Sequence, residues 1–297
     1  MKINYTKQPL RYSEQVNLLR SRGLDIPDIS FAESCLSDIS YYRLSAYFYP
    51  LLADKQNHVF KPGSDFDSVI KLYRFDNDFR LLLFNAITLI EVSVRTKLTY
   101  ELSHKYGPFW LENETLYLDK DKTKQLLSKL KEELERSDEE YLAHYRNKYL
   151  EDIPPAWISL EISSFGLISL LYMNLSSFKD KKAIARHFGF PQPVFQSFLH
   201  ALTVVRNICA HHSRIWNKVL SVQPAIPNGR LQTMVESNLI KKDRIAVMIL
   251  MMSEVLSKIS IANDFKKEFE NLLAKYPDTD LQAMGFMNNI FPENYSI

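Results

Sequence analysis

Between Phe195 and Trp216 the chain gathers side chains that can handle a phosphate and a proton together: His200, Arg206, Asn207, His211, His212 and Arg214. A histidine exchanges protons near neutral pH, a guanidinium grips a phosphate with two hydrogen bonds, and an amide orients either of them. These are the parts needed to activate an RNA 2′-hydroxyl against its neighbouring phosphodiester without a metal. Rival chemistries fit less well. Cys209, His211 and His212 are close in sequence but point in three directions on a helical wheel, with no Asp or Glu nearby to complete a zinc shell. No G-x-S-x-G elbow exists to present a nucleophile, and Cys209 falls on an apolar arc as an ordinary buried thiol does.

The element that must position these groups is a helix opened by Pro191 and Pro193 and expected to run to about Arg214. At about 100° per residue, Phe195, Phe198, Leu199, Leu202, Val205 and Cys209 form one core-facing stripe. Arg206 falls inside that stripe, which is costly without a partner. The acid-free block around it places that partner elsewhere in the chain; Glu91 is the first choice and Glu161 the second. An arginine on an apolar arc also implies that the arc meets another apolar surface, with the active residues lining a cleft between two protomers. His200, Asn207, His211 and Arg214 share a separate polar stripe; its bland alternative is a solvent-facing surface of no consequence.

From Lys181 to Arg230 there are seven Lys or Arg and no Asp or Glu, in a chain with 37 basic and 35 acidic residues in all. That excess is the footprint of a polyanion site, or else a face that pairs with acids elsewhere in the fold. On the first reading, affinity for RNA falls steeply with salt, and Lys181 and Arg214 contribute to the slope.

The rest of the chain reads as further helices. Asp65–His104 reads as one or two long helices, with apolar residues at three- and four-residue intervals behind a Ser64/Asp65 cap. Lys120–Tyr149 is a charged amphipathic stretch with leucines at 126, 127, 130 and 134, and its charges are expected to form a solvated face. Helical blocks follow from Pro154 to Tyr172, from Lys241 to Ile261 and from Phe265 to Lys275. No period-2 alternation or βαβ rhythm is present, so the fold class is all-α. A natural division is an N-terminal helical half over 1–111, a charged connecting helix over 112–153 and a C-terminal half over 154–297, either separate or as one continuous domain.

Composition excludes several classes. The seven glycines are too far apart for a phosphate-binding loop. Two cysteines 174 positions apart make no disulfide framework. The first ten residues lack the hydrophobic run of an export signal, and no apolar stretch reaches the roughly 18 residues that span a bilayer. A cytoplasmic protein with no membrane partner is expected.

Arg206-Asn207-Ile208-Cys209-Ala210-His211 has the form R-N-x-x-x-H and resembles the signature of HEPN ribonucleases. The longer run from Val205 to Asn217 is similar to the bacterial Abi-like (abortive infection, AbiD/AbiF) family within that group. So are Ser40–Tyr47 with Tyr49-Pro50, Ile90–Arg95, Tyr106–Trp110, Pro155-Ala-Trp157 and Ser164-Phe-Gly166. The resemblance implies a HEPN-like helical bundle with additional N-terminal helices, working as a homodimer and cutting RNA with no metal and no cofactor. It makes Arg206 and His211 the catalytic pair and Asn207 their orienter. His212, Arg214, Trp216 and His200 would contact RNA or support the site, Trp216 either stacking a base or serving as a core tryptophan. Glu91 and Arg95, four residues apart on one helix face, would hold the site from the other half, or form a plain surface pair.

The leading expectation is therefore an abortive-infection or toxin–antitoxin ribonuclease, with an antitoxin that is either a protein or a small structured RNA. The alternatives are a catalytically inactive HEPN-like regulator that binds RNA or protein, and a purely structural helical adaptor.

Overall fold

A computed structural model describes residues 4, 6, 8–261 and 264–289. These residues form α1 (Tyr12–Ser21), α2 (Ile29–Ile39), α3 (Tyr41–Phe48), β1 (Leu52–Asp54), β2 (Val59–Phe60), α4 (Phe66–Tyr106), α5 (Lys120–Arg136), α6 (Glu140–Lys148), α7 (Ala156–Ser159), α8 (Phe165–Asn174), α9 (Phe178–His187), α10 (Gln192–Ala210), α11 (Arg230–Glu236), α12 (Ile245–Ser257), α13 (Phe265–Lys275) and α14 (Leu281–Met284). The protein is all-α apart from one antiparallel ribbon, in which Leu52 pairs with Phe60 and Asp54 with Val59. No helix among the described residues is long and apolar enough to cross a membrane.

The described residues fall into two compact units, those within 1–79 and 272–279, and those within 80–271 and 280–289. This differs from the sequence-based division at 111 and 153. The reason is α4, which runs unbroken for 41 residues, about 60 Å. Its first fourteen residues belong to one unit and the rest to the other. Asp65 starts it as expected, its carboxylate accepting from the Ser68 N–H at 2.7 Å.

In the N-terminal unit, α1 to α3 and the ribbon close over a core that includes Leu19, Leu36, Leu44, Phe48, Phe60 and Phe66. Tyr47 reaches out of that core to donate to the buried Asp76 at 2.6 Å. In the larger unit α10 packs on α8, α9 and α12, and α5 packs on α8. Helix α12 is buried from Ile245 to Met252, in keeping with its unbroken apolar sequence.

Several element boundaries differ from the sequence reading. The charged stretch breaks at Ser137, whose extended backbone separates α5 from α6; Ser137 and Asp138 favour such a break because their side chains compete for backbone hydrogen bonds. Helix α9 overlaps the start of the basic block and is not among the helices that apolar spacing predicts. Its signal is local, with Ser177 capping the Asp180 N–H. Helix α10 ends at Ala210 rather than near Arg214. His212 adopts φ +54°, and the N–H groups of His212 and Ser213 return to the carbonyls of Cys209 and Ile208, closing a Schellman turn.

Candidate active site

The core stripe of α10 is buried as the helical wheel requires, Phe195, Phe198, Leu199, Leu202, Val205 and Cys209 all facing inward. Arg206 lies at the margin of this stripe, with its side chain 33% exposed and its guanidinium carbon 5.9 Å from the centroid of the Phe84 ring. Its Nε stands 3.9 Å from Glu91 Oε2, so the carboxylate chosen first from the sequence is the one set beside it. Glu91 is itself mostly buried and also meets Arg95 Nη2 at 3.4 Å. Arg95 is the most enclosed of the three, and its Nη2 donates to the Ser163 carbonyl at 3.1 Å. Thus α4 supplies a carboxylate and a guanidinium, α10 a second guanidinium, and the 160–164 loop a backbone acceptor.

Burial pushes the Glu91 carboxyl above its usual range, and the positive charges of Arg206 and Arg95 offset this only in part. The Nε atoms of Arg95 and Arg206 are both buried without a hydrogen-bond acceptor among the described residues. Two guanidiniums with unused donors around one reluctant carboxylate form a place where an anion could be held.

This cluster opens onto a cleft of about 800 Å³. Four carboxylates line it (Glu91, Glu133, Glu139 and Glu161), against three guanidiniums (Arg95, Arg136 and Arg206). Glu161, the second candidate partner of Arg206, lines the cleft without pairing with it. Glu133 accepts from the Ser164 N–H at 3.1 Å, which ties the 160–164 loop to α5. Nothing in the local pattern places Glu133 or Arg136 here, because α5 reads as a solvated face. The usable signal was the buried stripe of Thr123, Leu126, Leu130 and Leu134, which fixes the flank of α5 that turns toward the cleft.

The other members of the motif are placed differently. Asn207 and His211 are exposed and do not line the cleft; His211 caps α10 and donates its N–H to the Asn207 carbonyl at 3.0 Å. His200 and His212 are exposed as well. Arg214 lies beyond the helix, so its place on the wheel does not apply; it is half-buried, with Nη2 3.5 Å from the Asn217 carbonyl. Trp216 is a core tryptophan, with its indole N–H bonded to the Asp280 carbonyl at 3.2 Å, and it offers no open ring for a base.

The basic block does not form one cationic face. Lys181 is buried, and its ammonium donates to the Met173 carbonyl at 2.6 Å and to Gln196 Oε1 at 3.3 Å; burial lowers its proton affinity. It is a structural lysine, which removes it from the RNA contacts expected of the block. Among the described residues no three His, Cys, Asp or Glu side chains group as a metal site.

A sequence profile described as Abi-like protein matches residues 34–217, a span that includes Glu91, Arg95, Arg206 and His211. No curated protein and no solved structure matches the chain. With well over half of its length inside that match, and the paired charges of α4 and α10 inside it too, this chain belongs to the Abi-like protein family.

Proposed function

We propose that this protein is a metal-independent endoribonuclease of the HEPN type that acts in abortive infection, a cytoplasmic toxin held in check by a protein or RNA antitoxin. The observation that carries the reading is the R-N-x-x-x-H arginine: Arg206 is seated against Glu91 with its Nε unused, beside a second guanidinium, Arg95, in the same state. A phosphodiester oxygen entering there meets two fixed positive charges, and the transition state gains more from them than the ground state does. His211 then moves the proton, either from the attacking 2′-hydroxyl or to the leaving 5′-oxygen, with Asn207 orienting it. The products are a 2′,3′-cyclic phosphate and a 5′-hydroxyl, and DNA is inert.

A homodimer belongs to this reading. Leu81, Phe84 and Val92 are exposed along one face of α4, next to Arg206 on Phe84. A second copy covering that face would bring another His211 toward the cleft that the protomer's own His211 does not line. A strict monomer at micromolar concentration that still cleaves RNA rejects the shared site.

The excess of carboxylates in the cleft favours one rival, a non-catalytic regulator that binds a protein partner there. Purified wild type and His211→Ala decide between them. Cleavage in EDTA with cyclic-phosphate ends, lost in His211→Ala while circular dichroism is unchanged, supports the nuclease. Cleavage that needs Mg²⁺ or survives the substitution rejects it.

A further inference from the structure

The N-terminal unit holds a second concave surface, of about 640 Å³, that plays no part in the cluster around Arg206. Its walls are aromatic: Tyr41, Tyr42, Tyr49, Phe48 and Phe60 all line it. Two of these rings are far more exposed than a packing role explains, Tyr42 at 88% and Tyr49 at 51%. No carboxylate lines the groove, whereas Arg22 and His58 do. Arg22 Nη1 donates to the Tyr41 hydroxyl at 2.8 Å, and among the described residues no acid pairs with it. The Lys55 ammonium sits 4.8 Å from the centroid of the Tyr49 ring.

Two acids near the groove in sequence are turned to backbone, and neither Asp25 nor Asp38 lines it. Glu14 accepts from the Arg11 N–H at 2.6 Å, and Asp54 accepts from the N–H groups of Gln56 and Asn57 at 2.8 and 3.0 Å.

We propose that this groove binds single-stranded RNA, with bases stacked on Tyr42 and Tyr49 and a phosphate drawn to Arg22. Two exposed rings beside an arginine and a lysine, with no acid in the lining, suit an unpaired polyanion: each base offers a face to a ring, and each phosphate a charge to a guanidinium or ammonium. A proline-rich peptide would use the rings and leave the cations unanswered, so the charge favours RNA. The choice of RNA over DNA rests on the nuclease reading; the groove itself does not.

The test uses the full chain carrying His211→Ala, so that bound RNA stays intact, and fluorescence anisotropy with a labelled 12-nucleotide oligoadenylate, single-stranded and as a duplex. Single strands bind more tightly than duplex. Tyr42→Ala and Tyr49→Ala each weaken binding by about 10-fold, as loss of one stacked base should, while Tyr42→Phe stays near the parent. Arg22→Gln lowers the slope of log affinity against log salt by about 1.

Affinity within twofold of the parent in both alanine variants overturns the proposal. So does a proline-rich peptide that quenches tyrosine fluorescence through Tyr42 where single-stranded RNA does not. Cleavage by the wild type is scored separately. Tyrosine-dependent binding without cleavage removes the nuclease and keeps the groove, and cleavage with unaltered binding in the tyrosine variants does the reverse.

Discussion

The cleft beside Arg206 and the groove beside Tyr42 are similar in size and opposite in chemistry. One is walled by four carboxylates and three guanidiniums, of which Glu91 holds Arg95 and Arg206, the other by aromatic rings with an arginine, a histidine and no acid. The basic block of the sequence lies on neither side of this contrast as a unit: Arg206 faces Glu91, Lys181 is buried, and Arg214 is bonded to a backbone carbonyl. Charge counted along a chain is therefore not charge presented to a ligand. The cleft positions a few groups at close range, whereas the groove offers affinity spread over several weak contacts.

That division of labour is exposed to measurement. The largest effect is expected in the R-N-x-x-x-H motif: Arg206→Ala and His211→Ala should each lower the rate of RNA cleavage by about 1,000-fold or more. Groove variants such as Tyr42→Ala should raise KM with little change in kcat. An equal loss of kcat in Tyr42→Ala would break the comparison.

Next comes stability. Glu91→Ala leaves the enclosed Arg95 without its carboxylate and should cost about 2–4 kcal/mol in chemical denaturation, with Glu91→Gln milder because it keeps an acceptor. In the groove, Arg22→Gln loses one hydrogen bond to a tyrosine and should cost about 1 kcal/mol. Equal losses at Glu91 and Arg22 would show that the cleft charges are not desolvated.

The pH dependence sharpens the same point. The Glu91 carboxyl is raised in the folded protein, so its contribution to stability is fully present below the unfolded value near 4.5 and is lost as pH rises through the folded one. The stability gap between wild type and Glu91→Gln should therefore be widest near pH 4 and narrow toward pH 7. Asp180 behaves oppositely. Burial raises it, but hydrogen bonds from Lys105, Tyr106 and Ser177 outweigh that and leave it lowered, so its contribution is present above about 3.8 and is lost as pH falls through the folded value. A Glu91 gap that grows with pH would mean that the two guanidiniums outweigh burial.

The smallest effect concerns the helix end that carries His211. With His212 in a left-handed conformation, His212→Val should be about 1 kcal/mol less stable than His212→Gly, since a branched Cβ clashes there. Equal stabilities would contradict the turn that ends α10.

Much of the fold was legible because helix periodicity is a local signal. The Asp65 cap, the core stripe of α10 and the buried run of α12 follow from spacing and caps, whereas the same spacing left α4 open as one helix or two. The ribbon was missed because strands of three and two residues are too short to show alternation. The site was legible in part. The demand of Arg206 for an acid pointed to Glu91, whereas Glu133 and Arg136 came from a helix whose charges resemble any exposed face.

By itself the sequence determined the all-α class, the helix that bears R-N-x-x-x-H, the family, and the energetic need of Arg206 for a carboxylate. Each follows from short-range spacing or from the cost of burying a charge. Only the tertiary structure decided which charges face one another, that Lys181 is buried, that Trp216 is core, and that His211 lies outside the cleft its own arginine lines. Those outcomes depend on residues scores of positions apart, brought together by packing, and no local pattern encodes such a distance.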